Sequence, residues 1–130
     1  MRFTQGSLSL KEKSRLEQAS RLASMSTCRF KHGAVIVKGG RVLAVGVNAY
    51  TSSLSLTDIL EKEGRSIHAE AAAIKAMGGS AKGATIYVAR INRLGEPRMS
   101  KPCIACMKLI EEAEIKKVVY TIEHTIDVTI

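Results

Sequence analysis

Apolar residues at Leu16, Ala19, Leu22 and Ala23 alternate with charged ones at the spacing of one helical face, so "LKEKSRLEQASRLASM" is predicted to be a helix. Ser9, with Glu12 three residues on, supplies a capping-box signature at its start. The period then changes. "HGAVIVKGGRVLAVGVN" contains two Val-rich runs separated by "KGGR", which predicts a β-hairpin. Both arms are nearly continuous in apolar residues, so the hairpin is expected to be covered on both faces. Residues 50–66 are polar. Thr57 could cap a short helix running to Glu63 and stopped by Gly64, in a segment of the kind that often lines a binding site.

"HAEAAAIKAM" reads as a second helix ended by Gly78 and Gly79. "ATIYVARI" is a strand, and "NRLGEPRMSK" a loop. Pro102 sits where a first helical residue is well tolerated, which would place Cys103 and Cys106 in the first turn of a helix running to about Ala113. "IKKVVYTI" and "IDVTI" are the last two strands. The order α-β-β-α-β-α-β-β implies crossovers that cover a sheet with helices. The final two strands are too close in sequence for a crossover and should pair antiparallel. No repeat or linker interrupts residues 1–130, which read as one α/β domain.

Composition narrows the classes. With 45% hydrophobic and 25% charged residues in 130, the chain is ordinary globular material. No apolar run approaches the roughly 20 residues a bilayer needs. The first residues lack the apolar stretch of a secretory signal, so a cytoplasmic location is expected. A net charge of +8 favours anionic partners. Three Tyr, two Phe and no Trp offer little for stacking along a single strand, so nucleic acid is not the favoured partner.

The three cysteines do not suit a disulfide framework, and isolated Cys28 is expected to behave as a small hydrophobe. Cys103 and Cys106, three apart, would be neighbours on one helical face. Taken alone they could be half-buried thiols or a redox pair, and His68 with Glu70 could simply open a helix. Taken together, one His and two Cys at helix mouths make a three-ligand zinc site with an open fourth position for water. Glu70, two residues from His68, could then reach that water, whose pKa a zinc ion lowers from roughly 16 toward about 7, and carry its proton.

"HAE" with "PCIAC" in this strand and helix order resembles the zinc-dependent cytidine and deoxycytidylate deaminase superfamily, whose H-x-E and P-C-x-x-C signature it matches from "HGAVIV" through "KKVVY". The resemblance implies a three-layer α/β cytidine deaminase-like fold, with a mixed five-stranded sheet flanked by helices and its last two strands antiparallel. It also implies one catalytic Zn2+ on His68, Cys103 and Cys106, with Glu70 as acid/base. Asn48, the Ala69 amide and the Lys101 carbonyl match positions that hold the pyrimidine nucleotide or nucleoside. Arg65 and Arg98 flank the motifs and are candidates to meet a phosphate.

Two departures bear on the substrate. Lys101 stands where relatives commonly carry Ser or Thr, and Tyr50 stands where nucleoside-type enzymes carry Glu. The "HAE" form instead resembles deoxycytidylate, tRNA adenosine and polynucleotide cytidine deaminases. The resemblance implies hydrolytic deamination of a cytosine base, in the class of dCMP, CMP and cytidine, by a homo-oligomer. Editing of RNA or single-stranded DNA and a non-catalytic structural zinc module are the alternatives.

Overall fold

A computed structural model describes residues 8–50, 66–123 and 125–129. Helix α1 (Leu10–Ala23) opens on the expected capping box. Ser9 Oγ accepts from the Glu12 amide at 3.1 Å, and Glu12 Oε1 accepts from the Ser9 amide at 3.0 Å. Leu16, Ala19 and Ala23 are buried with Leu22 beside them, on the face the spacing predicts. Burying Leu16 alone contributes roughly 1.5–3 kcal/mol.

Strands β1 (Lys31–Lys38) and β2 (Arg41–Val47) form the hairpin. Its turn residues Gly39 and Gly40 both have positive φ, 58° and 80°, which suits glycine in a two-residue turn. Two short strands, β3 (Ala49–Tyr50) and β4 (Ser66–Ile67), pair with each other and deliver the chain to α2 (Ala69–Met77). Then follow β5 (Thr85–Ile91), β6 (Pro97–Arg98), α3 (Ile104–Glu112), β7 (Lys117–Ile122) and β8 (Thr125–Thr129). The short helix expected from Thr57 lies outside the described residues.

The five main strands are ordered β2-β1-β5-β7-β8. β5 and β7 are parallel, and the pairs β1–β2, β1–β5 and β7–β8 are antiparallel. The sheet is therefore mixed and ends in the expected antiparallel pair. Residue parity assigns the two faces. Ala34, Ile36, Ile86 and Val88 meet Ala69, Ala73 and Ile110 of α2 and α3, while Val35, Val37, Tyr87 and Ala89 meet Leu16 and Ala19 of α1. Three layers result. Among the described residues no helix is long and apolar enough to cross a membrane.

Three expectations need correction. First, β1 is covered on both faces, but β2 is not. It is the edge strand, and α1 lies mainly across β1 and β5, so Val42, Leu43 and Val45 stay exposed. Second, the supposed loop before Pro102 contains β6, which pairs with the end of β5. Third, α3 starts at Ile104. Cys103 is its extended N-cap (φ −69°, ψ 169°), and Pro102 precedes the cap instead of opening the helix.

Candidate metal centre

His68 and Cys103 occupy the same kind of position. Each is the extended N-cap of its helix, and neither side chain caps its own backbone, so both are free to point across the helix mouths. Cys106 is the third residue of α3, where unpaired amides favour negative charge. These mouths lie at one end of the sheet, where β2, β5 and β7 finish.

Two devices hold them there. A Cβ on Gly46 would stand 2.3 Å from the Ala69 carbonyl oxygen and 2.5 Å from the Ala73 nitrogen, so only glycine lets the start of α2 press onto β2. Buried Ser100 fixes the approach to Cys103. Its hydroxyl donates to the Val88 carbonyl at 2.9 Å and accepts from the Thr121 amide at 2.9 Å, tying this segment to β5 and β7.

His68 Nδ1 lies 3.3 Å from Cys106 Sγ and 3.8 Å from Cys103 Sγ, and the three ligand atoms all fall within 4.8 Å of one another. Tetrahedral zinc, with bonds of about 2.3 Å to sulfur and about 2.0–2.1 Å to nitrogen, needs ligand separations of roughly 3.5–3.8 Å. The group fits. His68 and Cys103 are exposed and Cys106 is buried, so the set is open on one side.

Glu70 is only 4% exposed and meets the Cys106 thiol. Burial raises its carboxyl pKa above the ordinary value, although its own amide and the nearby His68 offset part of the rise. The Cys106 thiol is pushed up in turn by burial, and then by the charges of Glu70 and Cys103. Two thiols and a carboxylate crowded together favour a bound cation, which would stabilise all three anions.

Asn48 is buried beside this end of the sheet. Its Oδ1 accepts from the His32 amide at 2.8 Å and its Nδ2 donates to the Phe30 carbonyl at 2.6 Å. It holds the entry to β1, with one lone pair and one N–H left for a ligand. Ala69 is buried at the first position of α2, and Lys101 is exposed. Arg98 is already engaged by the Pro97 carbonyl at 3.0 Å, Glu123 at 3.3 Å and Glu96 at 3.7 Å. Arg65 lies outside the described residues.

Sequence alone marks His32, beside Gly33, as a structural or rim residue rather than a ligand, and gives Ser100 no role. His32 pairs across strands with Arg90, and burial, reinforced by the charges of Arg90 and His68, lowers its pKa to about 4 despite a bond to the Phe30 backbone. It is neutral at physiological pH. Its position before Gly33 could not show this shift, because the main cause is burial in the folded sheet, with Arg90 and His68 brought near by strand pairing and helix docking. Ser100 did have one: it stands two residues before the Pro of "SKPC".

The family model for the cytidine and deoxycytidylate deaminase zinc-binding region matches residues 10–122. No curated protein matches the chain. Among solved structures, the dCMP deaminase of cyanophage S-TIM5 in complex with dCMP and dUMP is 27% identical with a TM-score of 0.69, over 87% of this chain and 82% of that one. A diaminohydroxyphosphoribosylaminopyrimidine deaminase/5-amino-6-(5-phosphoribosylamino)uracil reductase from Thermotoga maritima is 28% identical with a TM-score of 0.54. The match covers 84% of this chain but only 28% of that protein. The cytidine deaminase of Mycobacterium leprae, 23% identical over 86% of this chain and 89% of that one, shares the fold with a TM-score of 0.59.

Proposed function

The chain belongs to the cytidine and deoxycytidylate deaminase zinc-binding family, and from that premise we propose that it hydrolyses the exocyclic amine of a cytosine base in a nucleotide such as dCMP, releasing ammonia and leaving uracil. One observation carries the reading: the metal-fitting triad of His68, Cys103 and Cys106 has a buried carboxylate, Glu70, against it. A purely structural zinc module has no use for such a carboxylate, whose burial costs stability. The cyanophage enzyme, solved with dCMP and dUMP, supports a mononucleotide substrate.

The roles follow from position. His68, Cys103 and Cys106 hold the zinc, and zinc when bound supplies Lewis acidity that lowers the pKa of water toward about 7. Glu70 takes a proton from the attacking water on its carboxylate. It returns that proton to the amine nitrogen as the C4–N bond breaks, so ammonia leaves and the water oxygen stays on C4. The raised pKa of Glu70 suits both halves of this transfer near neutral pH. The Ala69 amide, the Lys101 carbonyl and the spare hydrogen-bonding capacity of Asn48 orient the pyrimidine and sugar. Ile104 and Leu109, exposed on α3 beside the site, support assembly as a homo-oligomer.

The test is ammonia release from cytidine, CMP, deoxycytidine, dCMP, dCTP, adenosine and guanine, with zinc content measured on the same sample. Turnover on the cytosine substrates is expected. Glu70→Gln should keep zinc and lose on the order of 10²–10⁴ in rate. An active, zinc-loaded Glu70→Gln protein, or a zinc-loaded wild type that releases no ammonia from any cytosine substrate, would remove the reading.

A further inference from the structure

Near His32, a cavity of about 450 Å³ is lined by Arg29, Phe30, Arg90, Ile91, Asn92, Arg93 and Arg98. Its position relative to the candidate site follows from the backbone. Arg90 is the cross-strand partner of His32, whose amide is bound by Asn48. The next residue, Ala49, pairs with Ile67, directly before His68. Cavity and metal centre thus share one end of the sheet, where His32 is near both Arg90 and His68.

The wall is costly by itself. Arg90 and Arg98 are directly opposite on β5 and β6, where like charges repel. Glu123 and Glu96 offset Arg98. Among the described residues no carboxylate reaches ion-pairing distance of Arg29, Arg90 or Arg93. Arg29 and Arg90 instead lie over the Phe30 ring, 5.4 and 4.6 Å from its centroid, which holds two guanidiniums in place without neutralising them. Positioned, unpaired guanidinium forks match phosphate oxygens in geometry and charge. Two are held in this way, and Arg93 lines the same cavity, so the positive charge collected there exceeds what one monoester on the reacting nucleotide needs.

We propose that this cavity is a subsite for a phosphate group beyond the reacting nucleoside monophosphate, carried either as the outer phosphates of a nucleoside polyphosphate or as the diester of a flanking nucleotide. The assignment rests on the deaminase reading above for its link to turnover, but not for binding itself. Arg29 and Arg93 are exposed, so Arg29→Ala/Arg93→Ala removes two guanidiniums with little risk to the fold.

The test compares wild type with this double variant in two ways. The first is calorimetric binding of inorganic tripolyphosphate and of a cytosine-centred trinucleotide, which needs no turnover. The second is kcat/KM on deoxycytidine, dCMP, dCTP and the trinucleotide. Wild type is expected to bind at least one of the two probes, and the variant to lose at least about tenfold, the loss of one charge-assisted hydrogen bond. Deoxycytidine, which has no phosphate, should be unaffected. Loss confined to tripolyphosphate and dCTP identifies a polyphosphate chain, and loss confined to the trinucleotide identifies a flanking diester. Failure of wild type to bind either probe overturns the subsite whether or not the protein deaminates anything. Loss confined to dCMP, or equal loss on deoxycytidine, overturns it as well.

Discussion

Glu70 and His32 show how one end of the sheet sets protonation by burial. In each, desolvation is the largest influence and favours the neutral form, raising the carboxyl pKa and lowering the imidazole pKa. For His32 the consequence is a pH dependence of stability. Its pKa is about 4 in the fold against 6.5 as a free side chain, so between these values the unfolded chain binds the extra proton. Its contribution is therefore present above about pH 6.5 and is lost as pH falls toward about 4. Denaturant titrations of the metal-free protein from pH 7 to pH 4 should show stability falling, and His32→Gln should flatten part of that slope. An unchanged slope in the variant would show that His32 titrates normally. His68, Cys103, Cys106 and Glu70 were legible in the sequence because their chemistry is tied to two short motifs. The neutrality of His32 was not, because its burial, and the nearness of Arg90 and His68, arise only through strand pairing and helix docking.

At the scale of elements, two glycines decide how near the helices come. A Cβ on Gly33 would stand 2.2 Å from the Ala19 carbonyl oxygen of α1, and one on Gly46 would stand 2.3 Å from the Ala69 carbonyl oxygen of α2. The obstacles are backbone atoms in both cases, so Gly→Ala must displace a helix. Gly33→Ala and Gly46→Ala should each lower Tm by several degrees, a loss of about 1–3 kcal/mol from overpacking. Only Gly46→Ala moves the helix that begins at His68, so only it should also weaken zinc affinity in a chelator competition. Equal zinc affinity in the two variants would count against the close approach at Gly46 as the support of His68. The helices and main strands were readable from periodicity and caps. Missed were the exposed edge of β2, the pairing of β6 and the true start of α3. Each depends on what lies next to the segment, and apolar content alone does not report that.

For the molecule as a whole, a zinc ion on the triad would tie together two helices that pack on the same face of the sheet. His68 comes from α2, and Cys103 and Cys106 come from the start of α3, 35 and 38 residues later. A ligand held by the folded state alone stabilises it by mass action. Removing zinc with a chelator should therefore lower Tm, and adding back one equivalent should restore it. A Tm that ignores the metal would mean that the triad does not bind it in the fold.

The sequence by itself determined the layered α/β order, the residues that can hold zinc and the likeness to cytidine and deoxycytidylate deaminases, because residue type and local spacing carry that information. Only the tertiary structure decided that Glu70 lies buried against Cys106, that His32 is neutral and that four arginines, three of them without an ion pair among the described residues, collect around one cavity. Burial, like-charge crowding and cross-strand register are properties of residues far apart in the chain. They take values only once the sheet has brought those residues together.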